Sequence, residues 1–198
     1  FKKRYSSAYQ RAKEWLSQFD VADFYSISID YAGAQYANDS LRTLFLHDFA
    51  IHAIDLFAFL FRDVRRVFAF AKDLDAYAVS LQFASGAVGS MNLNCGRSFS
   101  VPTEELEITV KGGNFRTIHN SSCWRITEDG KPVEWREPPT FTSAGDSGNE
   151  TGHLAELVDF LAAVREGRTT RSNIFESYRS MVLYEAIAES ARRGVPVD

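Results

Sequence analysis

The sequence has only two cysteines, Cys95 and Cys123, in 198 residues. That is too few for a disulfide-built secreted scaffold, and their separation is not the paired spacing of a zinc site. Reduced thiols in a cytoplasmic protein are the expectation. No run of like charge is present, and the formal net charge is −4, which argues against nucleic acid or an anionic membrane as the main partner. The longest strongly apolar stretch, residues 49–61, carries His52 and Asp55 and is too short to span a bilayer. The opening Phe1-Lys2-Lys3-Arg4-Tyr5 has neither an initiating Met nor an apolar signal core behind it, so it reads as a piece of something longer. A glycine-rich turn between a strand and a helix is also lacking. Gly86-x-x-Gly89 falls in a hairpin pattern and Gly112-Gly113 between two strand patterns. The chain alone is therefore not expected to cradle a dinucleotide pyrophosphate.

Aromatic residues, by contrast, are plentiful, with 16 Phe and 8 Tyr, which favours β-strands and a well-filled core. The length suits one domain. Residues 5–19 repeat Ala8, Ala12, Trp15 and Leu16 at helical spacing, with Ser6 or Ser7 as cap. Residues 22–31 alternate as a strand, with Tyr25, Ile27, Ile29 and Tyr31 on one side. Residues 47–61 are apolar nearly all round, which predicts a buried helix. Then the period switches to two, and residues 67–71, 76–84, 87–95, 105–111, 114–119, 123–127 and 133–136 read as strands. Ser85-Gly86, Gly112-Gly113 and Asp129-Gly130 mark turns between them. Consecutive hairpins imply an antiparallel meander. Two helical patterns close the chain, 153–166 stopped by Gly167 and 173–193 stopped by Gly194 and Pro196.

The expected fold class is thus α+β: a large, mostly antiparallel open sheet with helices on one face. It forms a single domain over residues 1–198. Residues 1–20 lead in, 21–137 carry the sheet and the helix 47–61, 138–152 make a flexible loop, and 153–198 are the closing helices. Tyr77, Val79, Leu81, Phe83, Leu106, Ile108 and Val110 form the large apolar face, while Ser26, Ser28, Ser80, Gln82, Ser90, Asn92 and Asn94 form a short polar one. A flat, uncharged, hydrogen-bonding face suits packing against a second copy, as a homodimer or homotetramer; a solvated face is the plainer alternative.

Asp48, His52 and Asp55 fall at i, i+4 and i+7, one stripe of a helix that is otherwise apolar. Carboxylates flanking an imidazole favour its protonated form and fix its tautomer, properties wanted in a general base. The same stripe also fits a buried polar network. A metal site is disfavoured: HExxH is absent, and His47 and His52, five apart, do not share a helix side.

Three stretches carry a resemblance. They are Lys3-Arg4-Tyr5 with Ala8-Tyr9 and Ala12-Lys13; Asp48-x-x-x-His52-x-x-Asp55-Leu56; and His153-x-x-Glu156-x-x-x-Phe160-x-x-Ala163-x-Arg165-x-Gly167 followed by Ala188-x-Ser190-Ala191-x-x-Gly194. In this order they resemble the C-terminal domain of the glucose-fructose oxidoreductase / inositol dehydrogenase (Gfo/Idh/MocA) family. The resemblance implies NAD(P)-dependent oxidation or reduction of a sugar, polyol or related hydroxy compound. His52 would be the catalytic base and Asp48 the carboxylate that binds substrate and tunes it, with Asp55, Lys3 and Arg4 contacting substrate hydroxyls. His153 is placed at the pocket rim. NAD or NADP would belong to the full-length protein, on a preceding nucleotide-binding domain that also supplies the lysine of a Glu-Lys-Pro motif; none is expected on this chain alone. Three features depart from the pattern. Residues 41–46 replace a glycine-rich approach to the central helix, Arg62-Asp63 stands where a glycine usually ends it, and His47 is an extra imidazole. A noncatalytic assembly module of the same fold, and more weakly a metal-dependent hydrolase, are the alternatives.

Overall fold

The computed structural model describes residues 1–34, 45–98, 100–136 and 151–198. Eight strands form one open sheet: β1 (Phe24–Ala34), β2 (Val64–Lys72), β3 (Ala76–Phe83), β4 (Val88–Arg97), β5 (Thr103–Val110), β6 (Asn114–His119), β7 (Cys123–Glu128) and β8 (Lys131–Arg136). Their spatial order is β2-β3-β4-β1-β5-β6-β7-β8. Two hairpin-linked meanders, β2–β4 and β5–β8, therefore flank the first strand. All neighbours are antiparallel except β1 and β4, which run parallel. The antiparallel meander expected from the turns is found as two runs, β2–β4 and β5–β8, with β1 between them. Parallel or distant pairing leaves no local turn in the sequence, so the insertion of β1 between β4 and β5 has no such marker.

Helices α1 (Ser7–Leu16), α2 (Ile51–Leu60), α3 (His153–Glu166) and α4 (Ile174–Arg193) complete the fold. The inward residues of β1, β3, β4 and β5 pack with Tyr9 and Trp15 of α1, Ile54, Leu56, Phe57 and Leu60 of α2, and Leu183 and Ile187 of α4 in one core. Each such side chain, fully buried, contributes about 1.5–3 kcal/mol. The predicted apolar and polar faces hold for β3, β4 and β5. In β1 the register shifts between Phe24 and Ser26, so Phe24 enters the core and Tyr25 faces solvent, the reverse of the simple alternation. Ser28, Ser80, Ser90 and Asn92 do lie on the open side, but Glu105 and Glu107 of β5 join them, so the uncharged field is narrower than the sequence suggests.

Two helix starts differ from expectation. Ser6 occupies the N-cap position of α1 without capping it; its hydroxyl donates to the Ser121 carbonyl at 3.0 Å. The predicted helix 47–61 opens as a π-helical turn, Phe45–Phe49, closed by the Ala50 amide bonding to the Phe45 carbonyl at 3.0 Å, and is α-helical only from Ile51. That turn packs on β1 at Gly33, where an added Cβ would sit 2.5 Å from the Phe49 ring. Beyond α2, Arg62 and Asp63 both take left-handed backbone, at φ 51° and 42°, a conformation glycine adopts without strain. The expected loop at 138–152 lies outside the described residues except at 151 and 152.

Candidate functional site

Every residue of the leading turn, Lys2–Tyr5, ties to a different partner. Lys2 Nζ lies 2.8 Å from His153 Nε2 at the start of α3. The buried Lys3 ammonium meets the Glu104 carboxylate of β5 and donates to Ser121 Oγ at 3.2 Å. Arg4 grips Asp55 of α2 through two parallel bonds of 2.8 and 2.7 Å and reaches Glu176 of α4 at 2.8 Å. Tyr5 donates to Asp159 of α3 at 2.8 Å. The turn approaches α3 closely enough that only glycine fits at 152. A Cβ there would stand 2.0 Å from the Lys2 carbonyl oxygen, and the backbone is left-handed at φ +85°.

These ties set the charge states. Burial alone would raise the Glu104 carboxyl, yet the Lys3 charge and hydrogen bonds from Lys3, Ser121 and Tyr9 hold it below the ordinary value. Tyr5 is pushed up to about 12, by burial and then by the neighbouring Asp159. Burial, with Lys3 adding to it, lowers the Lys2 ammonium.

His52 sits on α2 beside this turn, partly buried, with its ring edge-on to Phe1 at 6.4 Å. Its Nδ1 is buried and has no hydrogen-bond partner. Burial first, then the positive charges of Lys3 and Lys2, lower its pKa to about 4. The imidazole is therefore neutral at neutral pH, and the groups that tune it are ammoniums, where the sequence suggests carboxylates. The expected stripe is corrected on two counts. Asp48 lies in the π turn, where it is exposed and bonds His47 Nδ1 at 2.8 Å. Asp55 is fully buried, and its oxygens are taken by Arg4 and by the Ser180 hydroxyl. Arg4 and Asp55 are thus occupied with each other, so neither offers a free group to a substrate. His52, Lys2, Lys3 and His153 gather around the leading turn and Asp55 is bound to it through Arg4, whereas Asp48 pairs with His47 instead.

Sequence reasoning missed Glu104, Ser121, Tyr9 and Asp159. For Glu104 a signal exists: it is in phase with Leu106, Ile108 and Val110, so strict alternation puts a carboxylate on the buried face. Among the described residues no three His, Cys, Asp or Glu side chains gather as a metal-ligand group, and no helix is long and apolar enough to cross a membrane.

Comparison with solved structures shows the same fold. A levoglucosan dehydrogenase in complex with NADH and levoglucosan superposes with TM-score 0.83 at 19% identity, over 100% of this chain and 64% of that one. An oxidoreductase from Agrobacterium radiobacter, in complex with NAD+, L-tartaric acid and magnesium, gives 0.78 at 16%, over 100% and 63%. The aldose-aldose oxidoreductase from Caulobacter crescentus, complexed with glycerol, gives 0.79 at 16%, over 100% and 62%. The chain thus spans less than two thirds of the length of these structures. No curated protein sequence matches it. Residues 31–198 match the family model described as "Oxidoreductase family, C-terminal alpha/beta domain". That match runs from the last residues of β1 through α4, so the chain belongs to the Gfo/Idh/MocA oxidoreductases as their C-terminal domain.

Proposed function

We propose that this chain is the substrate-holding domain of an NAD(P)-dependent oxidoreductase acting on a sugar, polyol or related hydroxy compound, with His52 as general base. The observation that carries the reading is a neutral, partly buried imidazole with an unpartnered Nδ1, on the central helix of a domain from this family. In the complete protein the nicotinamide takes up or returns the hydride. This chain's part is to hold the substrate hydroxyl and take its proton as the carbon becomes a carbonyl. A base must be unprotonated before it can act, and burial together with Lys2 and Lys3 keeps His52 so. Lys3 is locked to Glu104 and Arg4 to Asp55, so of the expected substrate contacts His153 is the better placed: it lies at the surface, its Nε2 2.8 Å from Lys2 Nζ.

The reading puts the cofactor on another domain, in the third of the relatives' length that this chain does not span. Levoglucosan, sorbose and glycerol in the related structures support a polyhydroxylated substrate. The pairing of Asp48 with His47, which leaves His52 Nδ1 without a partner, favours the second reading, a noncatalytic assembly module.

The complete protein separates the two. In the enzyme, His52→Ala lowers kcat at least about a hundredfold with the fold intact, while NADH binds to the complete protein and not to this chain alone. Unchanged turnover in that variant removes His52 from the chemistry. Absence of any dehydrogenase activity across a panel of polyols and sugars supports the module.

A further inference from the structure

The open side of the sheet carries a row of reactive side chains in its β5–β8 wing, away from the helices. The register places Glu105 of β5 opposite His119 of β6, and His119 opposite Cys123 of β7. Directly opposed residues on neighbouring strands share a face, with Cβ atoms about 4.5–5.5 Å apart. A carboxylate, an imidazole and a thiol therefore stand side by side on three adjacent strands, the residue types of a base-assisted thiol nucleophile. His119 Nδ1 lies 3.7 Å from Glu105 Oε1, which engages one ring nitrogen and leaves the other for a proton. The Cys123 sulfur lies 3.5 Å from the Ser122 hydroxyl, a group that can donate to a thiolate. Cys123 is a free, half-buried thiol, whereas Cys95 is packed in the core.

The surroundings narrow what such a thiol meets. His119 and Cys123 both line a cleft of about 840 Å³ over β6–β8, within the size range of small-molecule sites. Arg125 follows Cys123 by two residues and so shares its face, opposite Thr117 and Trp135. Trp135 is 63% exposed and Phe115 37%, and both present flat apolar surface to the same cleft. Of the charged groups that line it, Glu134 is taken by Arg11 and Trp124, and Arg125 and Arg136 give a positive excess. Glu105 and Glu107 are the acidic groups of this face, and they stand one strand further off, on β5. Electropositive, partly exposed surroundings are those in which cysteines react. Among the described residues no three such groups gather as a metal-ligand set, so the row suits a nucleophile and not a metal ion.

We propose that Cys123 is a nucleophilic thiol that exchanges with small anionic disulfides, with His119 taking the thiol proton, Glu105 positioning the imidazole and Arg125 attracting the carboxylate of the disulfide. The thiol passes its proton to His119, and its sulfur attacks one sulfur of the disulfide. The new S–S bond to Cys123 forms as the old one breaks, and the departing half takes that proton back and leaves as a thiol. Cys123 is oxidised and the departing sulfur reduced, so no further oxidant enters. The row lies on the opposite side of the sheet from His52 and does not rest on the functional reading above.

The test incubates the complete protein with oxidised glutathione and follows the mass of the peptide that carries Cys123. At pH 7 the expected modification is at least about tenfold faster than in an unfolded peptide spanning the same residues, while Cys95 stays unmodified until urea unfolds the chain. His119→Gln, at a half-exposed position, should lower the rate at pH 7 at least about fivefold. At about pH 9.5, where an ordinary thiol is ionised, the same variant should stay within about twofold of the parent. Arg125→Gln should remove a preference for oxidised glutathione over the cationic disulfide cystamine. A Cys123 that reacts no faster than the peptide, or not at all in the native protein, overturns the proposal. So does a rate at pH 7 that survives His119→Gln, or one that falls equally at both pH values, which marks a structural effect alone.

Discussion

His52 resists a proton because the charged imidazolium would be partly desolvated and would face Lys3 and Lys2. In an unfolded chain its pKa returns to about 6.5. With the folded value at about 4, the unfolded state binds more protons between those limits, so stability falls as pH drops from 6.5 towards 4 and this histidine adds no further loss below that. Glu104 and Glu176, both held below the ordinary carboxyl value, act in the same direction, but at lower pH, below about 4.3. Urea unfolding at pH 6.5 and pH 4.8 therefore isolates His52: the expected loss is about 2 kcal/mol, and His52→Gln should remove most of it. Equal losses in parent and variant would show that the imidazole is freely hydrated. The neutral state of this group was not legible in the sequence, because the burial that chiefly imposes it follows from tertiary packing and the lysines that add to it come from a turn some fifty residues away. The buried Glu104 was legible from its phase with Leu106 and Ile108, and only its partner was not.

Arg4 joins three elements at once, the leading turn, α2 through Asp55 and α4 through Glu176, and both members of its principal pair are buried. Removing one partner of such a pair leaves the other charged and dry, which costs about 3–5 kcal/mol. Arg4→Met should lower stability by that amount in urea unfolding, while Arg4→Met combined with Asp55→Leu should recover at least about half of it. A single variant as stable as the parent would mean the pair is not formed in solution. At this scale the strands and closing helices were readable. Alternation located β3 to β7 to within a few residues, and Asn173, Gly167 and Gly194 mark the ends of α3 and α4 as observed. The start of the central helix was not. The π turn brings Phe49 over Gly33, a contact between segments that no local period records, and within it Asp48 pairs with the neighbouring His47.

On the scale of the molecule, the layers followed from two-residue periodicity, but the order of strands did not. The pairing of β1 with β4 is parallel, and its pairing with β5 spans most of the sheet's sequence; β1 thereby becomes the central strand, with the two meanders as wings. This order places Ser28 directly beside Ser90, and Ser90 beside Ser80, so three adjacent strands present short side chains on the side away from the helices. Short side chains let another sheet approach to about 10 Å, and Tyr25, Phe70 and Trp135, also exposed, supply apolar area that a serine field alone lacks. We therefore expect the chain to associate through this face, burying at least about 1,000 Å² in total. Light scattering at high micromolar concentration should give a multiple of the single-copy mass. Ser28→Arg with Ser90→Arg, which sets two long cations side by side at the centre of the face, should return it to one copy without lowering the midpoint of thermal unfolding measured at low concentration. A parent protein that stays at one copy throughout that range would leave the open face to solvent, and the short side chains would then reflect only the pleat they occupy.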